Sequence, residues 1–412
     1  MMNRKSFGVV TSLTLVFAFA GAAQAGGLYL EEFATNSMGT AGAGSQAYAA
    51  DAATTIENPA GMTRLEGHQI FAGFAPGGGN IKFDKTGSAV NDGGNGGTQG
   101  GFIPMLGAGY SHKLHDRIRL GIGVFSVSGA ALDPEDSWAG RNEVTKISLF
   151  TLATNPGVAI KVTDWLSVAG NWKIVYAKLD WDLRGPGEGK ISIDDADDVG
   201  YGGMASILLE PREGLRFGLL YESEVDLDLS GDIDVPPGGG TTATFDLELP
   251  LPQAVRFSAY WDATEKIALL FSLGWEDWST LDTTGVSVNG GATTVPLAFD
   301  DTWRIGGGIH YHLTSEWMLQ TGYSYDSSAL KNKNRTVALP IDEQHRLGFG
   351  AVHQYSESLK VGLNFEWVNL GRGKVRTPNV RGSYERNDLF FVGITMNWRT
   401  DSWRETFGGG AS

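Results

Sequence analysis

His310 and His312 stand two residues apart, a spacing that turns both side chains to one side of an extended strand. A pair so placed could hold a divalent metal. No cysteine or Glu-x-x-His spacing accompanies it, so the sequence predicts no metal site. SIDDADD at 192–198 has the composition of a calcium loop but lacks the glycine and terminal glutamate of that pattern. It reads as a solvated loop, one that could carry divalent ions bridging to lipid headgroup phosphates. The glycine-rich GGGNIKFDKTGSAVNDGGNGG completes no phosphate-cradling motif and is expected to be a mobile surface loop. A hydrolase would need a serine, a histidine and an acid converging on one face, and no local signature of that kind is present. No cofactor motif and no enzyme is predicted.

The elements that must carry these residues are strands. In LRFGLLYESEVDLDL, residues 215–229, the odd positions are mostly apolar and most even ones polar. Period two is the mark of a strand with one apolar face. KIALLFSLGW places Ile267, Leu269, Phe271, Leu273 and Trp275 on one face, and LKVGLNFEW does the same for Leu359, Val361, Leu363, Phe365 and Trp367. From His68 to Trp398 fourteen such strands can be drawn. Long links at 77–100, 129–145, 184–199, 231–243, 282–299, 328–342 and 371–383 alternate with tight turns near His115, Thr163, Pro211, Asp262, Thr314 and Ser356. An even strand number with long loops on one side and tight turns on the other describes an outer-membrane β-barrel. Tryptophans sort the same way: Trp165, Trp261, Trp317 and Trp398 lie by the turns, and Trp181, Trp278, Trp303 and Trp367 by the long loops. That predicts one aromatic girdle at each interface. Odd residues of 215–229 are then expected to face lipid, and even ones the lumen or the extracellular loops. Pro250 and Pro252 predict a bulge, because proline removes a ladder donor.

Composition agrees with export. The start is basic at Arg4 and Lys5, Phe7 to Phe19 is largely apolar, and Ala23-Gln24-Ala25 is a cleavage pattern, so residues 1–25 read as a secretory signal peptide. Cysteine is absent, glycine reaches 58 residues and the formal net charge is −15. That charge argues against nucleic acid, whose binding rests on basic residues meeting phosphates. The stretch 26–67 is rich in alanine and glycine, small enough to pack as a plug within a barrel, with a loose periplasmic leader as the alternative. Residues 68–398 form the barrel, and 399–412 a C-terminal tail.

The segment EEFATNSMGTAGAGSQAYAADAATTIENPAGM resembles the N-terminal hatch of the FadL/TodX-type transporters of bacterial outer membranes, including Asn58-Pro59-Ala60. The similarity continues through Phe102–Pro104, SGAALDPEDSWAG from Ser128, YESEV from Tyr221, LELP from Leu247 and DDTWRIGGG from Asp300. The resemblance implies an all-β, 14-stranded antiparallel transmembrane β-barrel with a hatch in its lumen. It implies passive uptake of long-chain fatty acids or of aromatic and aliphatic hydrocarbons, with hatch rearrangement and lateral release at a kink in the third strand. The expected exit is Val127, Ser128 and Gly129, where alternation breaks, although a plain strand end would also stop at glycine. Leu132, Trp138 and Phe150, in or beside the loop AALDPEDSWAGRNEV that is expected to form short helices, are the candidates for substrate contact that the resemblance implies, with anchoring of the loop at the lipid interface as the alternative. The general diffusion porin and the outer-membrane hydrolase are the rival readings. Expected partners are a hydrophobic small molecule and outer-membrane lipid with lipopolysaccharide, for a chain acting as a monomer.

Two departures from the family pattern bear on substrate. A lysine expected to meet a carboxylate falls at Asp300, and an arginine falls at Leu183 with Arg184 beside it. A reversed charge at the first repels an acid, which favours a neutral hydrocarbon. Arg184 and Arg304 remain candidates for binding an acid, each equally suited to pairing with Asp226 or Asp228.

Overall fold

Strands that alternate apolar and polar residues can enter lipid only if every backbone N–H and C=O finds a partner, so the sheet has to close. It does so in a computed structural model that describes residues 32, 34–88, 92–185, 189–235 and 241–400. The expected signal peptide, residues 26–31 and 33 of the expected hatch, and 401–412 of the expected tail lie outside the described residues.

Strands β1 (His68–Ser88), β2 (Phe102–His115) and β3 (Ile118–Leu132) open the chain of hairpins. β4 comes in two pieces, Lys146–Thr154 and Gly157–Lys161. β5 (Leu166–Arg184) and β6 (Lys190–Arg212) are long and continuous. β7 (Leu215–Glu222 and Asp228–Val235) and β8 (Thr241–Glu248 and Ala254–Asp262) are each interrupted midway. β9 (Ile267–Glu276), β10 (Thr302–His312), β11 (Trp317–Asp326), β12 (Gln344–Gln354), β13 (Leu359–Asn369) and β14 (Val380–Thr400) complete the wall. Neighbours pair antiparallel around the ring, and β14 returns to β1 from His68↔Thr400 to Ser88↔Val380. The chain is a closed barrel of 14 strands. On β9 the outward Leu269 and Phe271 alternate with buried Ala268, Leu270 and Ser272, as the pattern predicts.

The extracellular half departs from the expectation. Parts of the expected links 77–100, 184–199 and 371–383 are strand, because β1, β6 and β14 run on beyond the lipid. There Phe83 and Tyr384 turn inward with ring centroids 5.2 Å apart. The barrel also ends later than Trp398: Arg399 donates its N–H to the Ser358 carbonyl at 2.8 Å and its guanidinium to Glu66.

Residues 215–229 do not keep one facing. Leu219 and Tyr221 are outside and Arg216, Leu220 and Glu222 inside, but beyond the interruption Val225, Leu227 and Leu229 are buried while Glu224, Asp226 and Asp228 are exposed. The break shifts the alternation by one, and one residue of shift exchanges the faces. Above the membrane the exchange is favourable, since outside is now water and inside is an apolar core. Pro250 and Pro252 lie in the matching break of β8. The same apolar core corrects the upper girdle: Trp181, on the inward face of β5, and Trp278, in a short turn after β9, are buried in it rather than set at the lipid interface, whereas Trp303, Trp165, Trp261 and Trp317 are exposed.

In the other half the space within the ring holds residues 34–65. Short turns at Asn36–Thr40, Ser45–Tyr48, Thr54–Glu57 and Pro59–Arg64 use mostly small side chains, so backbone comes close to the wall. Their partners lie all round it. Gly44 N–H donates to Ser272 of β9 at 2.8 Å, Ala60 N–H to Ser206 of β6 at 3.0 Å, and Ala52 N–H to Asn397 of β14 at 3.1 Å. Asn155 and Gln320 donate back to the carbonyls of Thr55 and Asn36, each at 2.7 Å. Gly44 has φ of 82°, and a Cβ there would fall 2.3 Å from Leu270. On the wall, a Cβ at Gly218 would lie 1.8 Å from the Gln46 carbonyl oxygen.

Gly218→Leu is therefore expected to displace residues 44–48, at an overpacking cost of about 1–3 kcal/mol. Planar-bilayer recordings should then show steady conductance that the parent protein lacks; identical traces would contradict a filled lumen.

Candidate functional site

β2 and β3 pair from Gly107↔Phe125 down to the turn. Above that level, among the described residues, no ladder joins 102–106 to 126–130, although β2 stays paired to β1 as far as Gly78↔Phe102. On its other edge β3 slips register against β4 between Ser126 and Gly129. Leu106 N–H turns to the Ser126 hydroxyl at 3.1 Å, and backbone contact resumes only at Gly101 N–H to Ala131 O, 3.0 Å. The interruption falls at the expected trio: Val127 is fully buried, and a Cβ at Gly129 would stand 3.1 Å from Ile103. Ser128 takes part through its backbone position in the same strand.

Behind the interruption is a cavity of about 30 Å³ lined by Ile103, Gly129, Leu132, Ile147, Leu339 and Leu389. On the lipid side Phe102 is 66% exposed and Leu106 43%. Both sides of the gap are therefore apolar. A cavity of about 150 Å³ is needed to take benzene, so this one is closed to a solute in the present conformation.

Extracellular loops form its roof. Leu339 and Ile341 come from the loop after β11, and Arg335 holds that loop by donating Nε to the Ile341 carbonyl at 2.8 Å and pairing with Asp342 at 2.9 Å. Glu143, in the loop after β3, accepts from Val337 N–H at 3.2 Å and from the Thr377 hydroxyl at 2.6 Å, so one carboxylate ties three loops. Tyr384 donates to the Val337 carbonyl at 2.5 Å. Burial pushes the Glu143 carboxyl above the usual range, opposed by the hydrogen bonds from Thr377 and Val337. Burial likewise raises the Tyr384 phenol.

The sequence candidates divide. Leu132 lines the cavity. Trp138 is 1% exposed, donates Nε1 to Val144 O at 2.7 Å and meets Phe83 edge-on at 5.8 Å, so it packs the roof instead of gripping a solute in an open groove. Its loop is held in turns, not the expected helices. Phe150 alternates with inward Ile147 and Leu149 and so lies on the outer face opposite Gly129. Arg184 points away from the interior and pairs with Asp136 at 2.9 Å, while its neighbour Leu183 is the buried one. Asp300 pairs with Lys331 at 2.8 Å at an exposed position, which removes the expected repulsion from the interior. Asp226 and Asp228 face outward and pair with neither arginine. Asn58 is fully buried and donates to Gln46 O at 2.6 Å and Ile207 O at 3.0 Å, Pro59 opens the next turn, and Ala60 N–H is shared by Asn58 and Ser206. His310 lies between Tyr48 and Tyr260, at 4.8 and 5.9 Å, and among the described residues no three potential ligands gather round a metal.

Arg304 is in the interior, in company that the sequence reading missed. Asp326 accepts from Nε of both Arg304 and Arg346, the latter at 2.9 Å, and Glu32 of the N-terminal segment accepts from both guanidinium groups. A second buried group joins Lys173, Glu222, Arg256 and Glu276 across β5, β7, β8 and β9. Between the two lies a cavity of about 40 Å³ that touches Glu32, Gln46, Arg256, Glu276 and Arg304. Parity would have found Asp326 and Arg346, because both fall on the inward face of strands whose outward face is apolar. Removing one member of a buried ion pair costs about 3–5 kcal/mol, so Glu32 is a firm attachment of the segment.

Known proteins repeat this architecture. The family profile described as outer membrane protein transport protein (OMPP1/FadL/TodX) matches residues 16–389. Outer membrane protein P1 of Haemophilus influenzae is 25% identical over 98% of each chain. The long-chain fatty acid transport protein of Escherichia coli is 23% identical over 89% of this chain and 93% of its own. Among solved structures, a Pseudomonas aeruginosa FadL homologue superposes with a TM-score of 0.81 at 16% identity, covering 89% of this chain and 98% of its own. The toluene transporter TodX of P. putida gives 0.71 at 16% identity, covering 90% and 100%.

A carboxyl whose folded value is raised favours the closed loops at low pH, and that contribution is lost as pH rises through the raised value. Hydrogen exchange at the Val337 amide, corrected for intrinsic rate, should therefore slow on acidification, and Glu143→Gln should flatten the profile. Protection that ignores pH in the parent protein would refute the link.

Proposed function

The chain belongs to the OMPP1/FadL/TodX family of outer membrane transport proteins and is a multi-pass β-barrel of that membrane, and we propose that it carries hydrophobic molecules, long-chain fatty acids or hydrocarbons, inward without an energy source of its own. The observation that carries this reading is the unpaired stretch between β2 and β3, with an apolar cavity behind it and exposed Phe102 and Leu106 in front.

An apolar solute gains nothing by entering water, so a path from the loops through an apolar cavity and sideways into lipid keeps it out of the aqueous phase at each step. Unpaired backbone is tolerated at membrane depth where it lines a cavity. Val127, Ser128 and Gly129 form one edge of the exit, Ile103 the other, and Leu132 lies on the approach to it. The cavity volumes support a resting state in which both the roof and the N-terminal segment must move before a solute passes. Asn58, Pro59 and Ala60 hold one end of that segment to β6 and Glu32 fastens the other to Arg304 and Arg346, so movement of the segment has to break one of these attachments. Names of relatives extend the substrate class in both directions: the Escherichia coli protein is called a long-chain fatty acid transport protein, and the P. putida structure a toluene transporter.

Gly129→Phe would fill the gap against Ile103 from within the strand. Uptake of labelled oleate or toluene by cells lacking their own channel should fall by about tenfold, a barrier increment of about 1.4 kcal/mol, with the barrel folded and surface binding retained. Undiminished uptake by a folded Gly129→Phe protein would remove the lateral route.

A further inference from the structure

The outer surface of the extracellular half is electrically polarised. Arg386 of β14 stands directly opposite Lys82 of β1, and Arg381 directly opposite Arg376 of the short strand Lys374–Arg376. Like charges so placed across a ladder destabilise it. Among the described residues no carboxylate pairs with Lys82, Arg372, Lys374, Arg376, Arg381 or Arg386, and all but the half-buried Lys82 are exposed. Three acids share this face, but neutral donors hold them. Trp367 Nε1 and Asn369 donate to Asp388, each at 2.9 Å, Asn95 to Asp84 at 3.2 Å, and the Ser383 hydroxyl to Glu385 at 2.7 Å. Half-way round the ring the outward face of β6, β7 and β8 is acidic, with Asp194 opposite Asp232 and Asp228 opposite Glu248.

The basic face begins where lipid ends. Exposed Phe102 and Phe390 both lie level with Gly78 of β1, and Trp367 lies opposite Phe390, so the three mark the outer aromatic girdle. Arg386 is four residues above Phe390 and Lys82 four above Gly78, about 13 Å further along the wall. That is head-group height. In the outer leaflet of this membrane the anions at that height are the phosphates of lipopolysaccharide, and guanidinium groups match phosphate oxygens with two parallel N–H bonds. We propose that the outward face of β14, β1 and the strand Lys374–Arg376 is a docking site for lipopolysaccharide, with Lys82 and Arg386 meeting the phosphates of its lipid anchor and Arg376 and Arg381 those of its inner sugars. Bound phosphate offsets the repulsion within both cross-strand pairs, and the acyl chains lie against Phe390 and Phe102 below. The acidic face of β7 and β8 repels the same phosphates unless a divalent ion bridges them. The site rests on the outer-membrane location alone and faces away from the lumen, so it stands or falls apart from the uptake reading.

The full-length protein in detergent, stripped of bound lipid, would be titrated with deep-rough lipopolysaccharide in the presence of EDTA, with native mass spectrometry as the readout. The parent protein is expected to bind without divalent ions, and to bind the same lipid about thirtyfold more weakly once its phosphates are removed. Lys82→Ser combined with Arg386→Ser should also weaken binding about thirtyfold, since each cation at a membrane surface is worth about fivefold. Asp228→Ser combined with Glu248→Ser, on the opposite face, should not weaken it. Equal affinity of the parent protein for the dephosphorylated lipid would overturn the proposal without recourse to any variant. So would undiminished binding by the Lys82→Ser, Arg386→Ser protein, or binding that requires calcium, which would move the contact to the acidic face. A salt-sensitive dimer of the lipid-free parent protein in sedimentation, lost in the same double variant, would overturn it by assigning the basic face to a second copy of the chain.

Discussion

Every feature of this molecule answers to one constraint: in lipid, an unpaired backbone N–H or C=O has no water to turn to. The ring of 14 strands satisfies that demand by closure, and the wall departs from it in ways that can be compared. At Asn155-Pro156 the break in β4 is repaired with amides: Asn155 accepts from Gly123 N–H at 2.7 Å, and Asn171 donates to the Asn155 carbonyl at 2.8 Å. The repair also reaches the interior, through Asn155 to Thr55. Between β2 and β3 the break is flanked by Ile103, Val127 and Leu132, and the Ser126 hydroxyl, which accepts from Leu106 N–H, offers a polar substitute. One interruption is a fastening for the N-terminal segment, and the other is left apolar.

Closure was legible in the sequence because lipid and lumen impose opposite polarities on alternate residues, and strand count and loop alternation followed from it. The same rule misled where lipid ends. Above the interface the outer face meets water and the inner face an apolar core, so Val225 and Leu227 turn inward and Asp226 and Asp228 outward. Trp181 was misread for this reason, whereas Trp278 lies in a short turn after β9 and Asp300 in the loop before β10, and the expectations at Arg184 and Asp300 came from the family pattern. Each lies in the zone where the membrane no longer dictates the sign of the pattern. A shift of one residue in the break of β7 is invisible in composition yet exchanges every side chain beyond it.

Interior contacts were less legible, because they join residues hundreds of positions apart. Arg346 meets Glu32, Thr395 meets Asn36, and Asn397 meets Ala52, and no local spacing announces any of these. What the sequence did supply was a permissive composition. Alanine and glycine in 34–65, and lumen-facing glycines such as Gly218 and Gly322 on the strands, let backbone approach backbone. The charged residues that then fasten the segment occupy the inward parity of strands whose outward parity is apolar.

The two halves of the interior consequently hold together by different physics. The lining of the extracellular cavity is apolar and its contacts non-directional, while Arg335, Glu143 and Tyr384 pin the loops above it. Around the N-terminal segment the contacts are directional, each hydrogen bond worth about 0.5–1.5 kcal/mol net, and so they hold one docked arrangement. The β2–β3 interruption lies beside the apolar cavity, away from the ion pairs of Arg304 and Arg346, so the break in the wall and the charged layer are separate features of the interior.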